Sequence, residues 1–81
     1  MMLHERLKKI RKELGKGQEE MAAAMGVSYP TWQRYEQGKN EPGSSVIEAL
    51  TKIGFRADWI LTGEGDMKRD DEKSLSEEAN K

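Results

Sequence analysis

Cysteine is absent from all 81 residues, so neither a disulfide staple nor a thiolate metal site can hold this chain together. Packing must do so, and a reducing, cytoplasmic setting fits. Histidine occurs once, at His4. With no cysteine and no second histidine, no metal site is expected. Long apolar runs are missing too: nothing approaches the roughly 20 residues that cross a bilayer, and the opening MMLHERLKKIRKEL is too charged for a signal peptide. The expected protein is soluble and has no membrane partner. No segment alternates apolar and polar residues as a half-buried strand would, and there is no internal repeat or low-complexity block. The fold class is therefore all-α. Only 35% of the residues are apolar, which supplies one small core and one domain.

Catalytic constellations are lacking as well. The densest carboxylates, Asp70, Asp71 and Glu72, fall in a polar C-terminal stretch where no cavity could tune them for proton transfer. No catalytic residue, cofactor or small-molecule ligand is assigned, and the chain does not read as an enzyme.

A strong net charge is also missing, since the formal charge is -1. Taken globally this speaks against a polyanionic partner. The two halves differ, however: residues 1–40 hold eight Lys/Arg against five Asp/Glu, whereas residues 41–81 hold six against ten. The basic excess is N-terminal, and such asymmetry points toward an anionic partner.

What the chain does contain is helical periodicity. Leu3, Leu7, Ile10 and Leu14 recur at steps of four, three and four, and the first helix ends at Gly15. QEEMAAAM follows Gly17, with Glu19 and Glu20 in the first turn, where carboxylates suit the helix dipole, and with Met21 and Met25 on an inner face. Further on, Ser45 and Glu48 stand at capping-box spacing, and Val46, Leu50 and Ile53 form an apolar stripe that stops at Gly54. ADWILTG offers a short last helix, with Arg56 a poor cap. From Lys68 onward Leu75 is the only sizeable apolar residue, so residues 68–81 read as a polar tail or cut linker that cannot repay the entropy of ordering itself. The domain is assigned to residues 1–67.

Residues 25–38, MGVSYPTWQRYEQG, resolve as a turn followed by a helix. Ser28 suits an N-cap, which puts Pro30 in the first turn, where its missing N–H costs nothing, and Gly26 is free to take positive φ in the turn before it. On a 3.6-residue period Ser28, Trp32, Tyr35 and Glu36 share one side, with the two rings in the core and Glu36 inward, while Pro30, Gln33, Arg34 and Gln37 face outward with Tyr29 at the flank. The outer row carries no carboxylate. Arg34 has no acid three or four residues away on either side, unlike the mixed charges of an ordinary solvated face. Glu36, turned inward, needs a cation, and Arg11 can reach it with a bidentate fork.

Residues 18–37, QEEMAAAMGVSYPTWQRYEQ, resemble the helix-turn-helix of the lambdoid phage repressor and Cro family, also called the XRE family. Gln18 stands first, Ala22 fifth and Gly26 ninth in that pattern, with apolar side chains at Met21, Met25, Val27, Trp32 and Tyr35. GKNEP is similar to the loop after the recognition helix, and DWILTGEGDM to a segment closing the N-terminal domain of many phage-type repressors. The resemblance covers residues 3–67. It implies a compact bundle of about five helices in which residues 28–37 enter the DNA major groove. It also implies roles for particular residues. Gln18 would bind a phosphate, Ser28, Tyr29, Gln33, Arg34 and Gln37 would face bases or adjoining backbone, and Lys39 and Asn40 would hold phosphates from the loop. Arg11 and Glu36 match a pair joining the first and third helices. Trp32 departs from the usual Ile or Val, and Tyr29 and Pro30 replace polar residues that often read bases.

The implied function is that of a bacterial or phage transcriptional regulator, a repressor, working in the cytoplasm on the nucleoid. Its partners would be double-stranded operator DNA and a second copy of the chain, met through the helix around Trp59 and Ile60 where one of its apolar side chains stays exposed. The rival reading is a helix-turn-helix module of antitoxin or anti-repressor type that holds a protein partner. The polar tail fits either a small stand-alone regulator or the N-terminal piece of a longer repressor.

Overall fold

The computed structural model describes residues 1–69, and residues 70–81, most of the expected tail, lie outside the described residues. Five helices follow one another: α1 (Leu3–Glu13), α2 (Gln18–Met25), α3 (Tyr29–Glu36), α4 (Ser44–Ile53) and α5 (Ala57–Thr62). The expected α-helical bundle is present, with α1 packed on α3 and α5, α2 on α3 and α4, and α4 on α5. Leu7, Ile10, Met21, Trp32, Leu50, Phe55 and Ile60 are sealed from solvent at its centre. Leu3 and Leu14 of the first stripe pack partly buried at its ends.

The turn between α2 and α3 follows from Gly26. Its φ of +72 closes α2 in the left-handed conformation, and the Val27 N–H returns 3.0 Å to the Ala22 carbonyl. Ser28 then caps α3: its Oγ accepts from the Thr31 N–H at 3.3 Å and lies 2.7 Å from Thr31 Oγ1. α3 closes the same way, with Gly38 at φ +74 and the Lys39 N–H 3.0 Å from the Arg34 carbonyl.

The C-terminal part departs from expectation in three places. Helix α4 starts earlier than Ser45, because the extended Gly43 serves as its N-cap, and Glu48 pairs with Lys52 at 3.2 Å instead of closing a capping box. Glycine is only a few tenths of a kcal/mol poorer than serine as a cap, so the start is set by where the chain leaves Pro42 rather than by the serine. Ile53 is in phase with Val46 and Leu50 but 39% exposed, since α4 ends beside it and Phe55, just past the Gly54 turn, fills the core in its place. Trp59 and Ile60 are buried, and the apolar side chain that their helix leaves exposed is Leu61, with Ile53 the exposed large apolar residue of α4.

Backbone pairing also runs past residue 67. Phe55 and Lys68 form an isolated antiparallel bridge, with the Arg56 N–H donating to the Met67 carbonyl and the Arg69 N–H to the Gly54 carbonyl, each at 2.9 Å. Lys68 also reaches Glu13 at 3.2 Å.

Arg6 went unnoticed in the periodicity, yet it is 5% exposed. Its Nε donates to the Ile60 carbonyl at 2.7 Å and its Nη2 to the Leu61 carbonyl at 3.1 Å, while Nη1 donates to the Met1 carbonyl. A guanidinium thus satisfies carbonyls at the end of α5 and ties it to α1.

Candidate nucleic-acid interface

Trp32 fixes the rotation of α3. Its ring is fully buried and meets Tyr35 edge-on at 5.7 Å between centroids, so the residues opposite them on the helical wheel must face out. Tyr29, Pro30, Arg34 and Gln37 are exposed and Gln33 is half-buried. No carboxylate belongs to this outer row. The side-chain amides of Gln33 and Gln37 make no hydrogen bond among the described residues, and Arg34 and Lys39 enter no ion pair there.

Behind the row sits one carboxylate. Glu36 Oε2 accepts from Arg11 Nε at 2.6 Å and from the Trp32 indole N–H, and its Oε1 accepts from Arg11 Nη2 at 3.1 Å and Gln18 Nε2 at 3.2 Å. Arg11 Nη1 continues to the Lys16 carbonyl at 3.0 Å. Burial alone pushes the Glu36 carboxyl up, but the hydrogen bonds from Arg11, Trp32 and Gln18 outweigh it and hold the group below its ordinary value. The bond to Glu36 lifts the Arg11 guanidinium further above its own. One anion thereby joins α1, α2 and α3.

The eight residues singled out from the sequence fall into four groups. Tyr29, Gln33, Arg34 and Gln37 lie along the outer side of α3, and Lys39 and Asn40 follow in a loop whose N–H groups return to the Arg34 carbonyl. Ser28 is exposed, but its hydroxyl is engaged in capping. Gln18 is half-buried at the start of α2, and one amide hydrogen goes to Glu36, leaving the other and the carbonyl oxygen open. Two contributors were not foreseen. Trp32 donates to Glu36 four residues on, a spacing visible in the sequence, and His4 packs on Gly38, where an added side-chain carbon would come 3.0 Å from its Nδ1.

A helix-turn-helix domain family model matches residues 3–58, which contain the turn, the outer row and the glutamate behind it. The chain belongs to the helix-turn-helix family. Two relatives in Bacillus subtilis (strain 168) carry the same domain. The SPbeta prophage-derived uncharacterized HTH-type transcriptional regulator YonR is 38% identical over 63 residues, covering 76% of this chain and 58% of its own length. The uncharacterized HTH-type transcriptional regulator YqaE is 34% identical over 68 residues, covering 83% and 59%. The chain thus spans somewhat under three fifths of these relatives. Among solved structures, the P22 c2 repressor in complex with synthetic operator 9T superposes with a TM-score of 0.71 at 28% identity, covering 79% of this chain and 98% of that one. This helix-turn-helix domain is phage-repressor-like in fold.

Proposed function

We propose that this helix-turn-helix domain binds duplex DNA sequence-specifically and represses transcription, with α3 in the major groove. The observation that carries the reading is the outer row of α3: amides and one guanidinium without partners among the described residues, and no acid, with Trp32 and Glu36 packed beneath. Arg34 reads a guanine through O6 and N7, Gln33 and Gln37 reach neighbouring bases, and Tyr29 covers the edge of the site. Lys39, Asn40 and the free N–H of Gln18 hold phosphates, and Ser28 approaches the backbone through its capped helix start. The P22 c2 repressor was solved on an operator, which supports the same mode of use here.

The active species is a homodimer, acting in the cytoplasm on the nucleoid. One recognition helix reads only a few base pairs, and two half-sites about one helical turn apart multiply that discrimination. Leu61 and Ile53 supply apolar surface for the contact. Selection from random duplexes tests both parts. The expected outcome is a two-fold symmetric motif; a single unrepeated half-site would reject the dimer, and no enrichment at all would reject sequence-specific binding in favour of a protein partner.

A further inference from the structure

Helix α1 carries three exposed lysines, Lys8, Lys9 and Lys12, for which no ion pair forms among the described residues. They border an open trough with Glu5, Glu13 and Glu36. Counted naively, the trough is balanced. Glu36 is neutralised by Arg11 and Glu13 by Lys68 at 3.2 Å, whereas Glu5 accepts only the neutral Met2 N–H at 2.7 Å and keeps its charge. Among the described residues, three lysines therefore face one unpaired acid, a local excess of positive charge.

Their placement follows from helix geometry. His4 and Arg11 mark the side of α1 that meets α3, through Gly38 and Glu36 respectively. At about 100° per residue, Lys8 stands just beyond that side and Lys12 next along, whereas Lys9 lies about 60° further round the helix. Lys8 and Lys12 are four residues apart, about 6 Å along the helix, and form a ridge on the flank of α1 whose trough is bordered on the α3 side by Glu36. We propose that Lys8 and Lys12 are a second phosphate-binding ridge that lies on the DNA backbone flanking the groove occupied by α3. The inference rests on the DNA reading above and extends its contact surface from the helix-turn-helix to α1. Ammonium groups on exposed stems suit this task, being point charges that neutralise phosphates without reading sequence.

The test is the salt dependence of binding to the selected duplex and to a random one, for the wild type, Lys8→Gln/Lys12→Gln and Lys9→Gln, with thermal unfolding to establish that all three fold alike. The double variant is expected to weaken both duplexes about tenfold at 0.2 M salt, to leave their ratio unchanged, and to reduce the slope of log K against log salt by about 1.8, while Lys9→Gln stays near the wild type. A double variant with the wild-type slope, or one matched by Lys9→Gln alone, overturns the ridge and leaves the α3 reading standing. Wild-type protein that binds no duplex overturns both.

Discussion

Glu36 is the residue on which most depends, and much of its setting could be read from the sequence. Its inward phase and its pairing with Arg11 followed from periodicity and the need of a buried carboxylate for a cation. The indole of Trp32 and the amide of Gln18 completed the site, and of these Gln18 had been expected at a phosphate alone. Arg6 was not legible at all, because its partners are backbone carbonyls, two of them 54 and 55 residues away, and no side-chain pattern encodes them. Removing Glu36 leaves Arg11 without its anion at a site where the carboxylate side chain is 3% exposed, so Glu36→Ala should lose about 3 kcal/mol, measured by urea unfolding at pH 7. The folded carboxyl titrates below its ordinary value of about 4.3, so this contribution is fully present above that pH and fades as pH falls through the folded value. Wild-type stability should therefore drop between about pH 4.5 and the folded value, and Glu36→Gln should show a shallower drop. Equal pH profiles would contradict the assigned network.

At the scale of elements, α3 and its bounding turns were the most legible part, since glycine at positive φ, a serine cap and proline in the first turn are local signals that tertiary contacts reinforce. Helix α4 was less so. Its start and its last apolar residue were decided by Gly43 and Phe55, neither of which the apolar stripe required. The loop after α3 depends on Gly38, which combines φ +74 with the close approach of His4. Gly38→Ala should cost about 1 to 2 kcal/mol by the left-handed backbone alone. It should also weaken DNA binding beyond that loss, because Lys39 and Asn40 are placed by this turn. Thermal unfolding and a binding titration at a temperature where both proteins stay folded would check it; unchanged affinity would show that the loop is not part of the interface.

For the whole molecule, the near-zero formal charge conceals an uneven distribution. Residues 1–69 carry twelve Lys/Arg against ten Asp/Glu, and the acids Glu48, Asp58, Glu64 and Asp66 fall on α4, α5 and the segment after them rather than on α3. The unequal charge of the two halves of the sequence already carries this pattern. The closing segment was harder to read. Lys68 and Arg69 look like tail by composition, yet their backbone groups complete the bridge to Gly54–Arg56, a pairing between polar residues that hydropathy cannot signal. The central claim is that α3 reads bases while the loop behind it holds phosphates. The most direct measurement compares Arg34→Ala with Lys39→Ala on matched and mismatched duplexes over a range of salt. The account predicts that Arg34→Ala relaxes discrimination by about 10- to 100-fold, equivalent to about 1 to 3 kcal/mol, whereas Lys39→Ala weakens every duplex alike and lowers the salt slope by about one. Two variants with the same uniform loss, or an Arg34→Ala protein with undiminished preference, would contradict it.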